Sequence, residues 1–496
     1  MLNRQSIVGG ALRHTLMPGE PMGEAGPGER APYDPQHDPL VAPHAGLGQA
    51  YAPTWWVASA GDPPPDDGPV RADMDVDVAI IGSGATGLAT ALFLAREHGI
   101  RAVVLEANQV AWGCSSRSGG QGQNASGRLK RSQWIARWGR DVALKLDAEI
   151  REGFETFRSL TQRIDCDATD GGHLYVAHRP KMVPVLEREC AVMREVFGYG
   201  TRMLSAQELQ LDHCNDRDAA GAMHEPEGIG IHPLKFSYGL MRQARELGVR
   251  VHTASPVTKM HQEGSRQVLV TPGGRVRAAR VAVCTGGYGG QRFSPQLRNR
   301  VMPILSNSVV TRPLTPAERA AAGLHTYTFL TDTRTLRFYY RLLKSPQGDR
   351  LQIGSRSAVT GADATDPRHL KLLTDAIARK FPPLANIEIA HSWWGWVDVS
   401  HDMMPRITRP DPAQPVWYAL GYGGNGVAFS THAGRRLAER VAGQDAGREV
   451  FELPIYGSAL PFPNVMGLVE SQAFAPFRRL GQQALYHWYW LRDELI

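Results

Sequence analysis

What this chain has little of narrows its class before any motif is read. Cysteine is scarce: Cys114, Cys166, Cys190, Cys214 and Cys284 are the only five in 496 residues, an odd number with no C-x-x-C pair. That argues against a disulfide framework and against a zinc site, and for reduced thiols in a cytoplasmic protein. No metal is expected. Long apolar runs are also missing. None reaches the roughly 18 residues needed to cross a bilayer, and the first residues carry no continuous apolar stretch of the secretory type. No integral membrane segment is therefore expected. Charge of one sign is missing as well, since the formal net charge is only +6. The local basic run Arg128, Lys130, Arg131, Arg137, Arg140 and Lys145 reads as the solvated face of a helix. No nucleic-acid reader motif accompanies it, so no nucleic-acid partner is expected. Residues 1 to about 70 are poor in aliphatics and rich in proline and glycine, and are expected to be largely extended or disordered. The Tyr51–Trp56 aromatics are the exception, expected to dock on the body of the protein.

What is present begins at Val78. Val78–Ile81 is a short all-apolar run, as a strand buried on both faces requires. It runs into Gly82-Ser83-Gly84-Ala85-Thr86-Gly87 and then into Leu88–Glu97, whose apolar and small residues recur at helical spacing. Gly82 permits the tight turn, Gly84 lets main chain approach a pyrophosphate, and Gly87 lets helix pack on strand. The helix N-terminus offers its N–H groups to the anion. Val103–Leu105 is a second strand, and Glu106 follows Gly87 by 19 residues, where a carboxylate accepts from ribose hydroxyls. A dinucleotide site is the reading of this unit.

Further along, apolar spacing from Ile135 to Ile150 predicts helix within 130–165. Gly172–Ala177 reads as a strand, 181–198 and Leu234–Leu247 as helices, and Val249–His252 and Arg280–Cys284 as strands. The last of these ends in a glycine turn, Thr285–Gly290. Strands are expected at Ser308–Thr311, Arg337–Leu343, Arg350–Gly354, Ile387–Trp396 and Trp417–Leu420. A third glycine turn, Gly421–Gly426, leads into a helix over Val427–Val441. The nucleotide-binding fold is thus expected in three parts, 71–165, 228–295 and 394–445. A sheet-rich substrate domain (166–227 and 296–393) interrupts it, and a C-terminal extension (446–496) follows.

Val78–Glu106, followed by Trp112-Gly113-Cys114-Ser115-Ser116-Arg117-Ser118-Gly119-Gly120-Gln121, resembles the opening of the FAD-dependent amine and amino-acid oxidoreductases, the family with the D-amino-acid oxidase, glycine oxidase and sarcosine oxidase folds. Tyr51–Trp56, Gly230–Leu234, Trp394-Gly395-Trp396, Met403–Ile407, Gly421–Gly426 and Trp488–Asp493 fit the same pattern over residues 50 to 496. Within the family the resemblance is to the bacterial γ-glutamylputrescine oxidase subgroup. It implies an α/β fold, a Rossmann-like FAD-binding domain interrupted by an antiparallel-sheet substrate domain. It also implies FAD as cofactor, contacted by Gly82, Gly84, Ala85, Thr86, Gly87, Glu106 and Ala107; by Gly113, Ser115, Ser116, Arg117, Ser118, Gly119, Gly120 and Gln121; by Val257, Thr285 and Gly286; and by Gly423, Gly424, Asn425, Gly426 and Val427. FAD is long and buried, so several separate turns must meet it, whereas a simple nicotinamide enzyme continues as one compact sheet.

The resemblance further implies hydride transfer from the carbon beside an amine nitrogen to the flavin, giving an imine that water hydrolyses to an aldehyde or oxo-acid. The partners it implies are a small amine or amino acid and, as electron acceptor, O2, a quinone or a protein carrier. Candidate substrate-side residues lie on the inserted sheet: Tyr340, Arg341 and Trp394 as the catalytic set, with Tyr339 and Trp396 beside them. Arg341 offers a bidentate partner to a carboxylate. The sequence departs from sarcosine oxidases in three places. Ala428 stands where they carry a carboxylate-binding lysine, which disfavours sarcosine. Ser392–Met404 holds no cysteine, so FAD is expected to be non-covalent. Gln352 stands near their oxygen-assisting lysine, which leaves a quinone or carrier open as acceptor. The alternatives are an imino- or amino-acid dehydrogenase for pipecolate- or proline-like substrates, and a flavin-binding subunit without turnover.

Overall fold

The computed structural model describes residues 38–40, 49–289, 293–297, 302–400, 402–457 and 477–495. The reading of residues 1–37 and 41–48 as extended lies outside them. Residues 49–70 are folded against the body: Trp55–Ser59 is a helical turn capped by Thr54, and Trp56 is buried. Within 49–70 the chain is extended apart from that turn, and the Tyr51–Trp56 aromatics dock on the body, where they bury apolar area. The Trp56 indole donates to Ser118 O (2.9 Å) and Thr54 Oγ1 to Ser116 O (3.2 Å). The strip thereby pins the loop that follows the second strand.

The first sheet gathers strands from widely separated parts of the chain. Met74–Ile81 lies at its centre, parallel to Val103–Leu105 on one side and to Gly274–Val283 on the other. Arg250–His252 continues it in parallel beyond Val103–Leu105, and Val416–Leu420 pairs in parallel with the end of Gly274–Val283. A hairpin of Lys259–Glu263 and Arg266–Thr271 adds antiparallel strands at the other edge. The three parallel strands that reach the site, ending at Ile81, Leu105 and Val283, are apolar and buried at those ends, because one face packs on helices and the other on the hairpin and loop residues such as Met260, Leu269 and Phe293. Ala85–His98 and Phe429–Val441 cover one face together. They cross closely at Gly434, where an added Cβ would stand 2.7 Å from both Ala89 Cβ and Thr86 O.

The second sheet has eight strands in the order Ile389–Val399, Met302–Thr311, Arg350–Ser355, Tyr339–Leu343, Phe329–Asp332, His173–Ala177, Gly221–Glu225 and Arg202–Ser205. All neighbours are antiparallel except Phe329–Asp332 with His173–Ala177, the pair that joins its two sequence segments. Ile389–Val399 runs three residues beyond the expected Trp396, which brings Asp398 to the end of the glycine turns.

The basic run divides. Arg137, Arg140 and Lys145 are exposed on the helix Arg131–Thr161. Arg131 is buried and paired with Asp147 at 2.6 Å, and Arg128 precedes the helix and faces inward. The solvated-face reading fails for these two because they lie at the helix N-terminus, where the chain enters the body. Arg478–Glu494 forms a terminal helix, anchored by Asp493 accepting from Thr335 N (2.5 Å) and by Glu494 against Arg334 (2.6 Å).

An added Cβ at Gly87 would overlap the Gly82 carbonyl oxygen. Gly87→Ala is expected to lower the unfolding free energy by at least about 2 kcal/mol, as overpacking of rigid main chain does. Denaturant unfolding of the purified protein measures it.

Candidate functional site: a cavity shared by the two sheets

The carboxyl ends of the parallel strands open into a cavity with an empty volume of about 2050 Å³, its mouth included. Its lining brings together residues that lie far apart in sequence. From the first turn come Gly82, Gly84, Ala85 and Thr86, and from the second strand's end Glu106 and Ala107. Gly113, Ser115, Arg117, Ser118, Gly119 and Gln121 line it from the following loop, and Val257, Thr285 and Gly286 from the middle of the chain. Gly424, Asn425, Gly426 and Val427 close it in front of the last helix of the first sheet.

Hydrogen bonds hold these turns to one another. Gly82 N donates to Leu105 O (2.8 Å) and Cys284 N to Ile81 O (2.9 Å), which fixes the three strand ends in register. The Thr86 and Tyr422 hydroxyls are 3.0 Å apart, joining the first turn to the last. Gly421 N donates to Asp398 Oδ2 (2.5 Å) and Gly423 N to Asp398 O (2.9 Å), so the end of the second sheet carries the last turn. Glu106 is buried, and burial raises its carboxyl above the ordinary range. Its Oε2 accepts from Ser83 N (2.9 Å) and Ser83 Oγ (2.7 Å), and its Oε1 from Asn108 N (3.1 Å). Ser115 Oγ accepts from Ala85 N (3.0 Å) at the helix N-terminus. The Arg117 guanidinium stacks on Trp112 (4.4 Å to the ring centroid) and donates to the Tyr288 hydroxyl (3.0 Å).

Four of the expected cofactor residues support this wall without lining the cavity. Gly87 packs on Gly82, and Ser116 Oγ bonds Trp112 O (2.9 Å) and Gly113 O. Gly120 lies against Ile231 O, and Gly423 against Arg128.

The substrate-side expectation is corrected for all three residues of the catalytic set. Successive strand residues face opposite sides of a sheet. In Tyr339–Leu343 it is Tyr339 that lines the cavity. Tyr340 points to the opposite face, where its hydroxyl bonds the Asp216 carboxylate in a buried cluster with Lys380. Arg341 shares the face of Tyr339 but lies beyond the cavity, donating to Ile231 O (2.5 Å) below the Trp56 ring. In Ile389–Val399 the lining residues are Gly395 and Val397. Trp394 and Trp396 point the other way into an apolar cluster with Trp112, Tyr288 and Leu305. Gln352 is buried outside the lining, near Arg341 Nε.

The sequence reading missed Tyr288, Asp398, Tyr422, Arg128, Arg337 and Arg356. Tyr288 and Tyr422 lie inside two of the glycine turns, and Asp398 meets the last turn through Gly421 N. The arginines carry no local motif, and only the tertiary fold brings them together.

FAD fits this cavity. The first turn presents the main chain of Gly82 and Gly84 to the space, with the Ser115 hydroxyl beside it. Thr285 Oγ1, buried in the lining, has no hydrogen-bond partner among the described residues, and a buried hydroxyl left so calls for a ligand. The last helix turns its N-terminal end toward the space through Val427 and Ser430, favouring negative charge there.

Comparison with known proteins agrees with this geometry. The family model described as FAD dependent oxidoreductase matches residues 77–440. The chain belongs to this family. It is an enzyme, an FAD-dependent oxidoreductase. Among its relatives, the γ-glutamylputrescine oxidoreductase of Escherichia coli is 32% identical over 450 residues, covering 89% of this chain and 98% of the relative. The β subunit of an Arthrobacter sarcosine oxidase is 25% identical over 391 residues, 75% of this chain and 88% of the relative. Glycine oxidase from Geobacillus kaustophilus shares the fold, with a TM-score of 0.63 and 21% identity over 79% of this chain and 99% of that one. Among the described residues no helix is long and apolar enough to cross a membrane.

Gly424 has a φ of +93°, and an added Cβ would stand 2.7 Å from Arg356 Nη2. A side chain there costs about 1–3 kcal/mol in backbone strain alone. Gly424→Val is therefore expected to weaken FAD binding by at least about tenfold, read as the flavin-to-protein ratio after dialysis.

Proposed function

We propose that this flavoenzyme oxidises the C–N bond of a primary or secondary amine, either a γ-glutamylputrescine-like amine or an amino acid. Hydride leaves the carbon beside nitrogen, and the resulting imine takes up water to give an aldehyde or oxo-acid and the free amine or ammonia. Bound FAD supplies the hydride acceptor. The observation that carries the reading is the shared cavity, in which the glycine turns and the second sheet line one continuous space.

The chain's own residues hold and shield the reactants. Tyr339 packs its ring on Gly119, and its hydroxyl is occupied, donating to Asn307 O (3.1 Å) and lying 2.8 Å from Ser308 Oγ. Burial raises that phenol above its ordinary value, so it is a neutral wall and not a proton acceptor. Ser306 and Val397 continue the wall. Cys114 and Cys284 are the thiols in the lining, and burial pushes each up to about 12. Protonated thiols are poor nucleophiles, which supports non-covalent FAD. The name of the E. coli relative supports an amine substrate. Reoxidation is by O2, a quinone or a protein carrier.

Anaerobic mixing of the yellow protein with a panel of amines is the test. Bleaching of the flavin band by γ-glutamylputrescine or a close analogue is expected. Bleaching by cyclic imino acids alone points to the dehydrogenase for pipecolate- or proline-like substrates, and no bleaching by any amine points to a subunit without turnover. Acid precipitation is expected to leave all the flavin in the supernatant, and flavin in the pellet contradicts the non-covalent reading.

A further inference from the structure

A line of polar groups leaves the cavity through the wall that the second sheet supplies. Thr331 lies in the lining, opposite Tyr339 in the strand ladder and on the same face of the sheet. Its neighbour Leu330 packs into the apolar core on the other face. Thr331 Oγ1 is 2.5 Å from His173 Nε2, and His173 Nδ1 is 3.2 Å from Glu225 Oε2. The three residues come from three neighbouring strands, Phe329–Asp332, His173–Ala177 and Gly221–Glu225. Gln123, also in the lining, brings its Nε2 to 3.3 Å from the same imidazole nitrogen as Thr331.

The carboxylate fixes the tautomer. Ionised Glu225 can only accept, so Nδ1 carries the hydrogen and Nε2 keeps its lone pair toward Thr331 and Gln123. Burial works to raise the Glu225 carboxyl, but the His173 hydrogen bond and the charges of His173 and Arg131 hold it below its ordinary range. The imidazole is buried and stacks on Phe329, with 5.2 Å between ring centroids. The other titratable and charged groups around the pair are His224 and Tyr175 on the flanking strands, Tyr199, and Arg131 of the long helix, which Asp147 already neutralises. A hydroxyl, an imidazole lone pair aimed at it and a carboxylate behind the ring form the arrangement that activates a hydroxyl. Here it opens on the cavity through Thr331.

The chemistry has a use for it. An alkylammonium ionises near pH 10, so at neutral pH only roughly one molecule in a thousand is the free amine that can lose hydride. Tyr339, a neutral phenol with its hydroxyl occupied, does not take that proton.

We propose that Thr331, backed by His173 and Glu225, removes the proton from the substrate ammonium and so delivers neutral amine for oxidation. This rests on the amine-oxidising reading above and deepens it. One N–H bond of the ammonium breaks and an O–H bond forms at Thr331 Oγ1, while the hydroxyl's own proton passes to His173 Nε2. The imidazolium is held by Glu225, whose side chain is 12% exposed and gives the proton a way to solvent. No electrons move in this step; the hydride leaves the neutral amine afterwards, for bound FAD. Thr331 is the catalytic residue because it meets substrate, and His173 and Glu225 are positioning residues that act through it.

The test mixes the FAD-loaded protein anaerobically with γ-glutamylputrescine, and with pipecolate in parallel, and follows the second-order rate of flavin bleaching from about pH 6 to 10. In the wild type the rate is expected to stay level from neutral pH up to the ionisation of the amine, and to fall on the acid side as His173 takes up a proton. In His173→Gln and Thr331→Val it is expected to climb about tenfold per pH unit up to about pH 10. It then lies at least about 100-fold below wild type at pH 7 and close to it at pH 10, with flavin content unchanged. Thr331→Ser is expected to restore the wild-type profile. Thr331→Val has nearly the shape of threonine and carries the test if His173→Gln does not fold. A wild-type profile in both variants overturns the proposal. So does a loss by the same factor at every pH, which makes His173 a tie between strands and nothing more. Failure of the amine reading looks different: no amine bleaches the wild-type flavin at any pH, and both readings end together.

Discussion

Where the Met74–Ile81 strand turns into its helix, stretches of main chain pass closer than side chains permit. A Cβ on Gly82 would stand 2.7 Å from Cys284 O, and one on Gly87 would overlap Gly82 O. This close approach sets the distance between the first strand, its helix and the turn that follows Gly274–Val283. The rest of the site depends on it. Thr86, carried at the start of that helix, bonds Tyr422, Tyr422 belongs to the turn held by Asp398, and Asp398 ends a strand of the second sheet. A chain of short polar contacts thus ties the nucleotide-binding turn to the second sheet.

The cavity sorts charge along its walls. The carboxylates, Glu106 and Asp398, lie beside main-chain N–H groups that hold them in place. The cations without carboxylate partners, Arg128, Arg337 and Arg356, stand on the side of the second sheet. Lys380 shows the contrast. It is wholly buried, whereas the three arginines are partly buried, and it sits among Asp216, Asp218 and Asp332 at 3.1 to 3.7 Å. Arg337 and Arg356, which flank strands of the same sheet, form no ion pair with a carboxylate among the described residues.

The parts of the site built from local chemistry were legible in the sequence. Glycine turns, the apolar strands before them and the helices after them follow from short-range rules, and the turns at 82, 286 and 424 are found together in one lining. What depends on sheet register was not legible. Tyr339 and Tyr340 differ by one position, and the pleat sends one into the cavity and the other to Asp216. The same alternation puts Gly395 and Val397 on the cavity and Trp394 on the far side. Arg128 looked like one more residue of an exposed basic run, since nothing local marks where a loop turns inward. Pairing of Phe329–Asp332 in parallel with His173–Ala177 likewise follows from how the two sequence segments of the second sheet meet, which no window of sequence records.

The central claim is that turns from three distant parts of the chain close on a single FAD. Hydrogen–deuterium exchange of the deflavinated protein, with and without added FAD, tests it most directly. The account predicts that FAD slows exchange together at 82–87, 284–289 and 421–427, to the same saturation point. Protection confined to 82–87, with the other two turns unchanged, would contradict it.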